Sequence, residues 1–143
     1  MLFRRFILEN LLESSADIVL AVDTRVPTEA PQARIRDLVS ADHAYSGDYL
    51  DDQPAHLRAM SSSLTAADTV GEWMGLARFS TQGTQWLKDE LAAMEAEGLD
   101  AKGDLSGLLN RLAAKHPVRI KYFTGHWMDV DTLADVADAR NFT

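Results

Sequence analysis

The chain has 143 residues, 46% of them hydrophobic and 25% charged, a composition typical of one globular domain with its own buried core. Its net charge is −8 and its lysines and arginines are scattered, which argues against a nucleic-acid polymer or an anionic membrane as a partner. The absence of cysteine excludes disulfides, thiolate catalysis and cysteine-ligated metals, and it is compatible with the cytoplasmic location that we expect.

The first predicted elements are a helix and a buried strand. Residues 2–14 place apolar side chains at helical spacing, so we predict that the chain begins inside a helix. Glu9, Asn10 and Glu13 interrupt the apolar pattern, which argues against a signal peptide, and no apolar run reaches the roughly 20 residues of a membrane span. The run "DIVLAVD", Asp17 to Asp23, is rich in branched residues and predicts a strand buried on both faces.

The centre of the chain gives weaker signals. Two prolines predict a loop at "TRVPTEAPQAR", and residues 34–68 mix short strand-like pieces with turns. The segment "TVGEWMGLARFS", Thr69 to Ser80, predicts a strand. Its glycines, Gly71 and Gly75, indicate a bulge or the close approach of another backbone or a ligand.

Two helices follow this strand. Ser80 is a good N-cap for the first helix, which we expect Gly98 to end. The apolar stripe of the first helix consists of Leu87, Leu91 and Met94, and that of the second consists of Leu105, Leu108, Leu109 and Leu112. The second helix should end before Pro117, because proline disfavours a helical residue in front of it.

The closing segment "VRIKYFTGHWMDVDTLADVADARNF" predicts a strand, a turn at Gly125 and a short helix, which Thr132 and Asp135 start as a capping box. With the preceding elements it predicts an α/β protein built on a mixed sheet, which binds ligands outside its strand ends. Asp129 and Asp131 would lie there on one side of an extended segment. Carboxylates so close repel each other unless a cation lies near them, so this pair predicts a site.

Three stretches of the chain resemble one enzyme family. "GEWMGLARFS" and "VRIKYFTGHWMDVDTLADVADA" are similar to the C-terminal half of sugar-nucleotide-pyrophosphorylase-type nucleotidyltransferases. Within that family they resemble cytidylyltransferases that act on phosphocholine or 2-aminoethylphosphonate, some of them fused to phosphoenolpyruvate mutase. "LFRRFILENLLESSADIVLAVD" is similar to the helix and strand after the family's first metal-binding aspartate. The resemblance implies that residues 1–143 form the C-terminal half of a mixed-sheet, glycosyltransferase-A-like domain.

Parts of the family pattern are absent from this sequence. It has no G-x-G-x-x-R, no P-K-x-L and no counterpart of the first metal-binding aspartate. We therefore expect the isolated chain to be inactive. We also expect a homo-oligomer or a partner chain, because half of a sheet exposes a strand edge and apolar surface.

The resemblance assigns roles to three residues of the W-x-D-V-D-T motif. It implies that Asp131 ligates the Mg²⁺ ion that bridges the nucleotide phosphates and that Asp129 meets the cationic head of the acceptor. Trp127 could offer an aromatic face to the same cation. The structural alternatives are a helix cap at Asp131, a solvated Asp129 and a core Trp127.

Two further candidates lie on predicted strands. Glu72 resembles an acidic residue on the substrate side, and the alternative is an exposed glutamate at a strand end. Lys121 is the candidate catalytic residue. It alternates with Ile120 and Tyr122, so it faces away from them, either towards the phosphates or, as the alternative, towards solvent.

These assignments imply a magnesium-dependent cytidylyltransferase of phosphonate metabolism. It would transfer CMP from CTP to a phosphonate or phosphocholine-type acceptor and release pyrophosphate, so its partners would be a nucleotide and a small acceptor. The alternative is a non-catalytic fragment that serves as a binding or assembly module with a degenerate acceptor site.

Overall fold

The computed structural model describes residues 1–26, 37–48, 53–100, 104–128, 130 and 133–142. The strands are β1 (Leu2–Phe3), β2 (Ile18–Asp23), β3 (Leu38–Ala41), β4 (Ala55–Ser61), β5 (Gly71–Phe79), β6 (Arg119–Phe123) and β7 (Trp127–Met128). The helices are α1 (Arg5–Leu12), α2 (Thr81–Ala96), α3 (Leu105–Lys115) and α4 (Leu133–Ala139). No helix in the described part of the chain is long and apolar enough to cross a lipid bilayer.

Five strands close into a barrel in the order β2-β5-β3-β4-β6. β2 and β6 are parallel, and the other neighbouring pairs of the barrel are antiparallel. The chain is therefore an α/β protein with a mixed sheet, as the sequence predicts. The closure is not predicted by the sequence, and it corrects the expectation of an exposed sheet edge, because each of these five strands has a neighbour on both sides.

β2 lies in the middle of the core, and all six of its residues are buried. Its even-numbered residues belong to one apolar cluster together with side chains of α2 and α3. Val19 and Ala21 belong to a second cluster, with Ile7 and Leu11 of α1. The prediction of a strand buried on both faces is confirmed, and the burial extends to the acidic residue Asp23 at its end.

Both glycines of β5 lie where the sequence predicts a bulge or a close approach. A Cβ atom on Gly71 would come within 2.5 Å of the backbone oxygen of Asp23. Gly75 has a φ of 75° and lies where the pairing of β2 with β5 changes register, between Leu20 and Val22. Both expectations are confirmed, and β5 starts in tight contact with the end of β2.

The N-terminus differs from the prediction. Leu2 and Phe3 form β1, which is antiparallel to β7, and α1 begins only at Arg5. The expectation that the chain begins inside a helix is wrong, because pairing with Trp127 and Met128 satisfies these backbone groups in an extended conformation. β1 thereby supports the segment that directly precedes the D-V-D-T motif.

The ends of α2 are as predicted. The Oγ atom of its N-cap Ser80 accepts a hydrogen bond of 3.0 Å from the backbone N–H of Gly83. At the other end Gly98 has a φ of 74°, and the N–H of Leu99 donates to the backbone oxygen of Met94 at 2.9 Å. This is the hydrogen-bond pattern of a helix that a left-handed glycine ends.

The buried stripe of α2 differs from the predicted one. Leu91 is 36% exposed, whereas Glu90 is only 3% exposed. Arg111 and Lys115 of α3 both donate to the Glu90 carboxylate, Lys115 at 2.5 Å. Leu91 of the predicted apolar stripe is therefore exposed, and Glu90 beside it is buried because the next helix supplies its ion-pair partners.

Candidate functional site

Asp23 is a buried carboxylate at the end of β2, with 4% of its surface exposed. Its Oδ1 atom accepts the backbone N–H of Arg25 at 2.9 Å and that of Gly125 at 3.0 Å. Its Oδ2 atom accepts the indole N–H of Trp127 at 2.7 Å. Three donors compensate the cost of burying this charge, so Asp23 fixes the turn after β6 to the end of β2.

The turn after β6 is strained. Gly125 has a φ of 69°, and the next residue, His126, has a φ of 67° although it is not a glycine. The backbone N–H of Arg4 donates to the backbone oxygen of His126 at 3.0 Å. The residue that follows β1 therefore holds the turn as well as Asp23. The ring of Phe6 meets the ring of His126 edge-on at 5.4 Å. A left-handed non-glycine residue persists only where its surroundings fix it, and such strain clusters at functional sites.

Arg25 lies against this turn. Its guanidinium occupies the space that a side chain at position 125 would fill, since a Cβ atom on Gly125 would come within 1.6 Å of Nη2. Its Nε atom is 3.7 Å from Oδ1 of Asp23, and its side chain is 60% exposed. Gly125 therefore suits its left-handed backbone conformation, and a side chain at this position would have to displace the guanidinium of Arg25.

Glu72 lies directly opposite Asp23 in the pairing of β2 with β5. Residues that oppose each other in an antiparallel pair share a face of the sheet, so two carboxylates are adjacent there. Glu72 is 8% exposed, so the alternative of an exposed strand-end glutamate is wrong. Its assignment to substrate binding stays a prediction.

Trp127 is half-buried, and its ring packs against the apolar cluster beneath α1. Its indole N–H binds Asp23, a contact that the sequence does not predict. Lys121 is half-buried in β6, in register with Ala21 and two residues before Phe123, the residue that opposes Asp23. The cation-binding role of Trp127 and the catalytic role of Lys121 stay predictions.

Asp129, Asp131 and the predicted cap Thr132 lie outside the described residues. The choice between a magnesium ligand and a helix cap at Asp131 is therefore a matter for experiment. Within the described ranges, no group of three or more histidine, aspartate or glutamate side chains is arranged to hold a metal ion. Asp23 does not fit a magnesium ligand, because its oxygens already accept three N–H donors.

A cleft of about 390 Å³ opens at the same end of the barrel. It is lined by Thr24, Val26, Leu38, Leu64, Ala66, Thr69 and Val70. Thr24 follows Asp23 in the chain, and Leu38 opposes Glu72 in the pairing of β3 with β5. The size is within the range of small-molecule sites, which are mostly apolar with a few polar groups.

Sequence reasoning missed Asp23 and Arg25. The pattern around them indicates only the end of an apolar strand and the start of a loop, because partners of Asp23 lie about a hundred residues later in the chain: Gly125 is 102 positions from Asp23. The available signal was a single acidic residue that closes an apolar strand and is followed at once by an arginine.

Comparison with known proteins identifies no relative. No protein-family model matches the chain, and neither a curated protein nor a solved structure matches it. The resemblance to nucleotidyltransferases therefore depends on the motifs of the sequence.

Proposed function

We propose that this chain binds the acceptor in a nucleotidyltransferase of the cytidylyltransferase type, with a glycosyltransferase-A-like fold. That enzyme transfers CMP from CTP to a small phosphonate or phosphocholine-type acceptor. The observation that carries the proposal is the strained turn at Gly125 and His126, which Asp23 anchors directly before the D-V-D-T motif. Strain held by a buried carboxylate is typical of a site that must keep its geometry.

The location of the turn supports a ligand-binding role. It follows β6 and contacts the end of β2, the parallel neighbour of β6. In open α/β sheets ligands bind outside the carboxyl ends of parallel strands, and we propose the same for the parallel pair of this barrel. The cleft of about 390 Å³ is lined by Thr24, whose Oγ1 atom is 3.1 Å from that of Thr124, and it has room for a small acceptor.

The charge at this end of the barrel suits an acceptor with an ammonium group. Asp23 and Glu72 oppose each other there. A high density of carboxylates favours a cation, since each additional negative charge raises the free energy of the others. The amine of 2-aminoethylphosphonate and the choline head of phosphocholine both meet this requirement.

In the proposed reaction an oxygen of the acceptor's phosphonate or phosphate attacks the α-phosphorus of CTP. The bond from that phosphorus to the bridging oxygen breaks, and pyrophosphate leaves with the electron pair. The described residues would hold and orient the acceptor. Asp131 would hold the Mg²⁺ ion expected of the family, which would supply compensation of the phosphate charge. The sequence has no glycine-rich loop to bind the triphosphate, so another polypeptide segment would supply it.

Calorimetric titration of the purified chain with 2-aminoethylphosphonate and with phosphocholine tests the proposal. We expect saturable binding of at least one acceptor, and weaker binding after Glu72→Gln. Asp89→Asn, which removes a charge from the exposed face of α2, should leave binding unchanged. Failure of both acceptors to bind would refute the proposal.

The closed barrel favours a second candidate function, a binding module without catalysis. A half-domain completed by another chain should leave a strand edge open, whereas each of the five barrel strands has two neighbours. Mixing the chain with the glycine-rich half of a related cytidylyltransferase and measuring pyrophosphate release from CTP separates the two. Release that Asp131→Ala abolishes supports the transferase, and acceptor binding without release supports the module.

A further inference from the structure

Arg25 is a cation two residues beyond the end of β2. Asp23 binds its backbone N–H at 2.9 Å and lies 3.7 Å from its side-chain Nε. Gly125 leaves the space that the guanidinium occupies. The hydrogen bond fixes the backbone of Arg25, and the 3.7 Å ion pair keeps its guanidinium beside Asp23, while 60% of the side chain stays exposed to solvent. An exposed guanidinium presents paired N–H donors that match the geometry of a phosphate or phosphonate.

Two hydroxyl groups lie beside the ends of β2 and β6. The Oγ1 atoms of Thr24 and Thr124 are 3.1 Å apart. Thr24 donates to the backbone oxygen of Phe123 at 3.3 Å, which leaves Thr124 as the donor between the two hydroxyls. Thr124 is exposed, so its hydroxyl can rotate to donate to a ligand instead.

We propose that Arg25, assisted by the Thr124 hydroxyl, binds the oxyanion of a small ligand, the phosphonate or phosphate group of the acceptor. The identity of the ligand as an acceptor rests on the function proposed above. The oxyanion site itself rests on the contacts of Arg25 with Asp23 and Gly125. Asp23 is a positioning residue in this arrangement, because it acts through Arg25 and the turn.

The surrounding charges explain why a zwitterion fits better than a simple anion. The chain has a net charge of −8, which opposes the approach of any anion. Asp23 and Glu72 oppose each other on neighbouring strands, so two carboxylates lie at this end of the barrel. A ligand that carries an ammonium group next to its phosphonate has less net negative charge than methylphosphonate, so these charges oppose it less while Arg25 binds the oxyanion. We therefore expect 2-aminoethylphosphonate to bind more tightly than methylphosphonate.

The test is calorimetric titration of the full chain with methylphosphonate, 2-aminoethylphosphonate and ethylamine. Arg25→Gln should weaken binding of both phosphonates roughly tenfold or more, since it removes charge-assisted hydrogen bonds. Arg25→Lys keeps the charge but not the planar pair of donors, so it should restore binding only in part. Arg58→Gln, which removes an exposed arginine from β4, is the matched control and should change neither affinity.

The outcomes separate this inference from the proposed function. If 2-aminoethylphosphonate binds and Arg25→Gln leaves its affinity unchanged, the assignment of Arg25 is wrong while the acceptor proposal stands. If methylphosphonate binds through Arg25 and 2-aminoethylphosphonate binds no more tightly, the oxyanion site is supported. The proposal that the acceptor carries a cationic group is then wrong. If no phosphonate binds, both are overturned.

Discussion

At the scale of the residue, one buried carboxylate organises the candidate site. Asp23 joins the end of β2 to Gly125 and Trp127, which lie far away in the sequence. It also accepts the backbone N–H of Arg25 and forms an ion pair of 3.7 Å with the guanidinium. Removal of a single acceptor oxygen should therefore disturb both the turn and the cation beside it.

Asp23→Asn tests this role. The asparagine amide brings two N–H donors to a position where the protein supplies only donors, so one buried N–H group loses its acceptor. We expect a loss of about 2 kcal/mol in the free energy of unfolding, measured by urea denaturation. The indole N–H resonance of Trp127 should shift as well. Asp89→Asn is the control, and equal stability of the two variants would contradict the anchoring role.

Gly125→Ala tests whether the position of the Arg25 side chain depends on Gly125, and Gly98→Ala is the matched control. Gly98 has nearly the same backbone conformation, with a φ of 74° against 69°, but no atom lies within 4 Å of the position of its missing Cβ. Gly98→Ala should cost about 1 kcal/mol of stability from the left-handed conformation alone. Gly125→Ala should cost about as much, because the atoms that it displaces are the far end of an exposed arginine side chain, which can move. It should also weaken the binding of 2-aminoethylphosphonate in calorimetric titration, whereas Gly98→Ala should not, and equal affinity of the two variants would mean that Arg25 does not depend on Gly125.

At the scale of the element, polar side chains fasten the helices to each other and to the barrel. Asn110 of α3 donates to the backbone oxygen of Met60 at 2.8 Å and accepts its N–H at 2.7 Å, as a neighbouring strand would. Glu90 of α2 accepts from Arg111 and Lys115 of α3. The hydrogen bond from Lys115, followed by that from Arg111, holds the pKa of Glu90 below its usual range although burial acts to raise it.

Glu90→Gln should lower stability in a pH-dependent way. A carboxyl whose pKa is lower in the folded state stabilises the fold fully above its unfolded pKa of about 4.3, and this contribution is lost as the pH falls through the folded pKa. We expect the variant to lose about 2 kcal/mol at neutral pH. The difference from the parent should shrink below about pH 4. Glu95→Gln, on the exposed face of α2, should show no such difference, and a pH-independent loss in Glu90→Gln would argue against the ion pair.

At the scale of the whole molecule, local signals predicted the elements whose causes lie within one segment. The cap of α2 at Ser80, its end at Gly98 and the burial of the branched run of β2 can all be predicted from residues within the same segment. The bounds of β3 and β4 cannot, because these strands are short and their burial comes from pairing with distant strands. The closure of the barrel and the partners of Asp23 depend on contacts across most of the chain, which no local pattern records.

Exposed apolar side chains on two helices favour association of the chain with a second copy or with a partner. Apolar side chains are exposed on α1 and α4: Leu8 by 41%, Leu12 by 60%, Leu133 by 89% and Val136 by 47%. We expect the chain to form a homo-oligomer or to bind a partner chain, now because of these side chains rather than a sheet edge. Sedimentation velocity should give a mass above the 15.8 kDa of one chain. Leu12→Gln should lower the apparent mass and Leu99→Gln should not; a monomer at every concentration would contradict the expectation.

The central claim is that the anchored turn at the end of β2 and β6 binds a small zwitterionic phosphonate or phosphocholine-type acceptor. The chain has three tryptophans, whose indole N–H groups each give one resonance in a nitrogen–proton correlation spectrum. The indole of Trp127 binds Asp23, whereas Trp86 stacks on His116 at 4.0 Å between α2 and α3. Titration with 2-aminoethylphosphonate should move the Trp127 indole resonance and the Gly125 amide in a saturable way and leave Trp86 unmoved. A spectrum in which Trp127 and Gly125 do not respond, or in which Trp86 alone responds, would contradict the account.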